Sequence, residues 1–216
     1  MIDVPIELYD YLKSKYNLTD QTLCDLHKPC ESNRQCDEEQ KDTAIINFDK
    51  VMSSYCSNNK QKTMSSVDGL TCNSNSIIFI EIKGWKEYLK YAKNLKKEKI
   101  QKQVDTYNFG GKLIESMAVC VKESENNDFF KPINVAYIIV TDINNNDLDN
   151  FAFNLNALAG TTSSLENTCN EVLKKKVYSK TLEDEIKNMS ESRNMAFSYK
   201  IYYKSCVEFD EFVEKL

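Results

Sequence analysis

The sequence predicts an α/β domain, a mixed central sheet flanked by helices. Three observations carry this. Strand-sized runs appear near 64–72, 77–83, 135–141 and 199–204, those at 77–83 and 135–141 rich in β-branched residues. Segments with helical spacing of apolar residues lie between them. The 216 residues, 41% hydrophobic and 28% charged, suit one sizeable globular core.

In chain order, residues 3–16 read as a short helix, with Leu8, Leu12 and Tyr16 at helical spacing. Residues 17–36 are polar and turn-rich. Residues 37–56 read as an amphipathic helix with Ile45, Phe48, Met52 and Tyr55 on one face. After a polar loop at 57–62 comes a hairpin: a strand near 64–72, a turn at 73–76 and a strand at 77–83. One long helical region is expected from about Trp85 to Val121, then a loop at 124–131 and a buried strand at 135–141. Helices at 148–158 and 165–189, a late strand at 199–204 and a terminal helix at 208–216 complete the chain. No internal repeat or linker marks a second unit, so residues 1–216 are read as one domain. Its core is about 38–142, with a helical extension at 1–36 and helices, a strand and a helix at 148–216. The order helix, hairpin, helix, strand is that of a mixed α/β domain.

Composition excludes several function classes. Only 5 Gly and 3 Pro rule out collagen-like and Pro-rich linker chains. No apolar run approaches the ~18 residues of a membrane span. The first residues, MIDVPIELYDYLKSKY, are mixed and acidic rather than a signal sequence, which predicts a cytoplasmic protein. A net charge of −5 means that nucleic-acid binding must come from a local patch. Eight cysteines in such a chain are expected to be reduced thiols. Cys24, His27, Cys30 and Cys36 have two readings: four soft ligands for zinc, or a loop of thiols around the single histidine.

The chemistry is concentrated in the hairpin. Strand side chains alternate, so Phe79, Glu81 and Lys83 share one face and Ile78, Ile80 and Ile82 the other. A symmetric turn centred between Ser74 and Asn75 pairs Cys72 with Ile77, and by the same count Asp68 with Glu81. Opposed carboxylates about 5 Å apart are destabilising unless a proton or cation lies between them. Mg²⁺ or Mn²⁺ takes oxygen ligands of this kind. Lys83, two residues along on the same face, can stabilise charge on a phosphoryl oxygen or orient an attacking water. Glu185-Ile186-Lys187 repeats the Glu-x-Lys pattern inside a charged helix, where it reads as a solvated face.

Asp68 followed by Glu81-Ile82-Lys83 across a hairpin resembles the PD-(D/E)XK nuclease superfamily, the restriction-endonuclease-like fold. Gln103-Val104-Asp105-Thr106-Tyr107 is similar to the Q-x3-Y motif of its RecB-type members, with Gly110 and Gly111 one turn later. The resemblance covers about residues 38–142. It implies a core of helix, three-stranded meander, helix and strand. It also implies Mg²⁺-dependent hydrolysis of phosphodiester bonds, with DNA as the expected substrate. Asp68, Glu81 and the main-chain carbonyl of Ile82 would hold the metal, Lys83 would support the attacking water, and Gln103 and Tyr107 would assist. Val67 stands where the family usually has proline. Many members carry an acid on the first core helix; Glu38, Asp42 and Asp49 are the candidates, with Asp49 favoured. The cysteines do not follow the pattern by which some RecB-type nucleases hold an iron–sulfur cluster.

Lys83 to Lys102 contains eight lysines and two glutamates. On a helix, Lys86, Lys90, Lys93 and Lys97 form one stripe, read either as a solvated face or as a nucleic-acid contact surface. The acidic net charge implies help from a second protomer or a larger complex. One straight helix would separate Lys83 from Gln103 by about 30 Å. The resemblance therefore requires a turn, expected at 95–99. The competing readings are an inactive nucleic-acid-binding or assembly module on the same scaffold, and a helical interaction protein with an incidental hairpin.

Overall fold

Five strands build one mixed sheet in the order β1-β2-β3-β4-β5 among the described residues. They are Ile46–Asn47, Gly69–Cys72, Ser76–Lys83, Asn134–Thr141 and Tyr199–Ser205. The computed structural model describes residues 2, 4–27, 43–85, 89, 97–143, 164–191 and 199–216. The first three strands are antiparallel neighbours; β3, β4 and β5 are parallel. Parallel strands covered on both faces need near-continuous apolar runs, which Ile77–Ile80 and Val135–Val140 supply.

The helices among the described residues are α1 Pro5–Lys15, α2 Leu23–Leu26, α3 Phe48–Asn58, α4 Lys97–Asp105, α5 Phe109–Ser124, α6 Ser164–Glu191 and α7 Phe209–Glu214. Apolar residues of α1, α3, α5 and α6 join Phe79, Tyr137 and Ile139 in the larger core on one sheet face. Leu23, Ile45 and Phe209 close the other face over Ile78, Ile80, Ala136, Ile138 and Val140. The architecture is thus three layers with the sheet in the middle. No described helix is long and apolar enough to cross a membrane.

The predicted order of helix, hairpin, helix and strand is present as α3, β2–β3, α4–α5 and β4. Three elements differ from expectation. Of the helix expected over 37–56, residues 37–42 lie outside the described residues, 43–47 are not helical, and the helix starts at Phe48, where Asn47 caps it by accepting a hydrogen bond from Lys50 N at 3.0 Å. Ile46 and Asn47 instead pair with β2, and Ile45 lies in the smaller core, away from Phe48, Met52 and Tyr55. The first strand therefore precedes α3, whereas the family order places the helix before the whole meander. The strand expected at 64–72 is paired only over Gly69–Cys72. The single helical region expected through 121 is broken at residues 106–108, where Asn108 takes a left-handed conformation with φ 49°.

Of the turn predicted at 95–99, Lys97–Lys99 are instead the first residues of α4, and residues 95–96 lie outside the described residues. The expected helix at 148–158 is outside them as well.

Candidate active site

The hairpin register is the one the symmetric turn predicts. Cys72 pairs with Ile77 and Gly69 with Ile80, where the ladder ends. Asp68 is the next residue, opposite Glu81. Its carboxylate takes over the role of the missing strand partner by accepting Ile82 N–H at 2.6 Å. A residue in a hydrogen-bonded antiparallel pair directs its N–H and C=O to the same edge. The Ile82 carbonyl therefore faces the edge that Asp68 occupies.

Glu81 is fully buried, and its two oxygens have different surroundings. Oε1 accepts a hydrogen bond from Lys112 Nζ at 2.7 Å and forms an ion pair with Lys83 Nζ. Oε2 has no hydrogen-bond partner among the described residues. Burial pushes the Glu81 carboxyl up and the Asp68 charge adds to it; the two ammonium groups oppose this without cancelling it. Lys112 loses solvation in the same pocket, yet Glu81, Asp68 and Asp49 together hold it above the ordinary lysine value.

Asp49, in the first turn of α3, accepts a hydrogen bond from the Ser66 hydroxyl. Desolvation raises its pKa, with Asp68 adding to the shift, while Ser66, Lys112 and Lys83 act in the opposite direction. Of the three acids considered for the first helix, Asp49 reaches the cluster; Glu38 and Asp42 lie outside the described residues.

Gln103 is in the last turn of α4 and Tyr107 in the turn beyond it. The Q-x3-Y pattern thus spans a helix end. Both residues line a cleft of about 300 Å³ with Ile82, Lys83, Gly84 and Trp85. A straight helix through 86–108 would not bring Gln103 there. Lys83 Nζ lies 4.9 Å from the centre of the Tyr107 ring, and Trp85 Nε1 donates to the Tyr107 hydroxyl. Trp85 in turn stacks on Tyr178 of α6, ring centres 4.0 Å apart, so the aromatic wall is anchored in the core. A second cleft, of about 510 Å³, opens on the Asp49 side and is lined by Asn17, Thr19, Asn47, Lys50 and Ser53 among others.

Lys112 was not singled out by sequence reasoning. Gly110 and Gly111 precede it, but they do not bring the helix onto the sheet: the atom nearest a Cβ at Gly110 is Met189 Cε of α6, at 3.9 Å. A Cβ at Gly111 would lie 2.4 Å from the Asn108 amide, so this position makes room for the left-handed residue that starts α5.

The lysine stripe is less visible. Lys86, Lys90 and Lys93 fall outside the described residues, as does the side chain of Lys97, the first residue of α4. Of the zinc run, Cys30 and Cys36 are likewise outside; Cys24 and His27 line a small pocket beside Ile82 and Asp142. Among the described residues no three His, Cys, Asp or Glu side chains converge as a metal-binding group. What the hairpin end brings together is two carboxylates and a main-chain carbonyl. No family model, curated protein or solved structure matches this chain.

Proposed function

We propose that the chain is a metal-dependent nuclease of the PD-(D/E)XK kind that hydrolyses phosphodiester bonds in DNA. The observation that carries this reading is Glu81. It is a fully buried carboxylate with one oxygen held by two lysines and the other without a hydrogen-bond partner among the described residues, opposite a second acid. A buried carboxylate oxygen left in this way is costly unless something else satisfies it. A hard divalent cation fits: Mg²⁺ or Mn²⁺ would be held by Asp68, Glu81 Oε2 and the Ile82 carbonyl, its remaining positions filled by water and substrate. When bound, it supplies Lewis-acid polarisation of the phosphoryl group.

The chain's own residues do the rest. Lys83 Nζ, held between Glu81 and the Tyr107 ring, is placed to donate to the attacking water or to a phosphoryl oxygen as charge builds there. Gln103 lines the same cleft and orients substrate against Lys83. The clefts on either side of the cluster leave room for a polymer, and Lys86, Lys90, Lys93 and Lys97 supply phosphate contacts in a chain of net charge −5. A second protomer or a larger complex completes the binding surface.

The second reading is a catalytically inactive nucleic-acid-binding or assembly module. It is favoured by one observation: Glu81 already carries two ammonium partners, the arrangement of a structural ion-pair network.

Cleavage of supercoiled plasmid and single-stranded DNA with Mg²⁺ or Mn²⁺ separates the two. Asp68→Ala, Glu81→Ala and Lys83→Ala are each expected to lower the rate about a hundredfold or more. Glu185→Ala and Lys187→Ala, on α6, should retain it. No cleavage by the wild type favours the binding module, and full activity in Glu81→Ala overturns the assignment of the active site to Asp68, Glu81 and Lys83.

A further inference from the structure

Lys83 meets Glu81 through strand geometry alone, since both side chains point from the same face of β3. Lys112 comes from a different element, so its contact depends on how α5 is fixed. Ser116 Oγ accepts Val67 N–H at 3.1 Å, and Glu115 accepts the Ser65 hydroxyl at 2.8 Å. Thus Lys112, Glu115 and Ser116 hold both sides of the hairpin end: Glu81 on β3, and the segment that leads into Asp68. The Lys112 side chain is only 22% exposed, so water screens its charge weakly.

In their ordinary charge states, three carboxylates (Asp49, Asp68 and Glu81) and two ammonium groups (Lys83 and Lys112) leave this cluster one net negative charge. A bound dication turns it into one net positive charge, the complement of a single phosphodiester. Without Lys112 the loaded cluster would be neutral, and the empty one would attract cations more strongly.

We propose that Lys112 is a positioning residue that sets the divalent-cation affinity of the site. It fixes Glu81 by Oε1, leaves Oε2 toward the cation, and weakens cation binding so that the loaded site retains the positive charge that a phosphodiester needs. This rests on the metal-site reading of Asp68 and Glu81.

The test is calorimetric titration of the full chain with Mn²⁺, without DNA. Lys112→Met and Lys112→Gln, with folding followed by circular dichroism, are expected to bind Mn²⁺ about tenfold more tightly than the wild type, as loss of one neighbouring unit charge requires. Lys112→Arg, which keeps the charge, should bind like the wild type. Equal or weaker binding in the neutral variants overturns the proposal while leaving the metal site intact. So does an Arg variant that changes as much as Met. Absence of Mn²⁺ binding in every form overturns the metal site itself.

Discussion

At the scale of single residues, the chemistry of this protein follows from who shares a strand face and who is buried beside whom. Asp68, Glu81 and Lys83 were legible because strand periodicity and a symmetric turn fix their relation without knowledge of the rest of the fold. Lys112 was not, because its contact needs the tertiary approach of α5. His27 shows a different limit. In the sequence it is a candidate ligand within a run of cysteines. In the fold it is buried at the end of α2 against Gly84, where a Cβ would lie 2.4 Å from Nε2. Burial lowers its pKa below the ordinary 6.5, with the Asp142 and Asp68 charges pulling the other way. Between 6.5 and the lower folded value, the unfolded chain binds the proton and the folded chain does not. Stability therefore rises with pH across that window and is lost as pH falls through it. Urea-unfolding midpoints should drop from pH 7 to pH 5.5 in the wild type. In His27→Gln the drop should be smaller, and an identical drop in both would assign it to other groups.

At the scale of elements, side-chain pattern identified the strands better than it placed the helix ends. β3 and β4 were readable as apolar runs because both faces are covered. Helical spacing carries the predicted helix through residues 43–47 because Ile45 is in phase with Phe48 and Met52. Spacing alone cannot tell that Ile45 pairs with Gln21 and faces the opposite core. The break at 106–108 was missed because Asn108 carries no proline or glycine signal and reaches the left-handed region on its own. Gly69 shows how tightly the hairpin is set. A Cβ there would lie 2.7 Å from Ile45 Cγ2 and 3.0 Å from Leu26 Cδ1, both in the smaller core. Gly69→Ala is expected to destabilise the fold by about 1–3 kcal/mol, the usual cost of overpacking. The same substitution should impair cleavage by shifting Asp68. Denaturant unfolding measures the first effect, and an unchanged midpoint would mean that Ile45 moves aside freely.

At the scale of the whole molecule, the candidate site lies where the parallel strands β3 and β4 end. The carboxyl ends of strands in an open α/β sheet are where ligands bind. Glu81 and Lys83 come from β3, and Asp142, which accepts Trp85 N–H at 2.8 Å, follows β4. Sheet order and the pairing of β5 beside β4 could not be read from the sequence, since nothing local specifies which strand a late segment joins. The order of elements could, because each carries its own periodicity. The proposed divalent-cation site of Asp68 and Glu81 can be tested by anomalous scattering at the manganese edge, from crystals of the full chain grown with Mn²⁺. A peak is expected within bonding distance of an Asp68 oxygen, Glu81 Oε2 and the Ile82 carbonyl, with Lys112 still on Oε1. A peak elsewhere on the chain, or none at saturating Mn²⁺ with Glu81 held only by its two lysines, would contradict it.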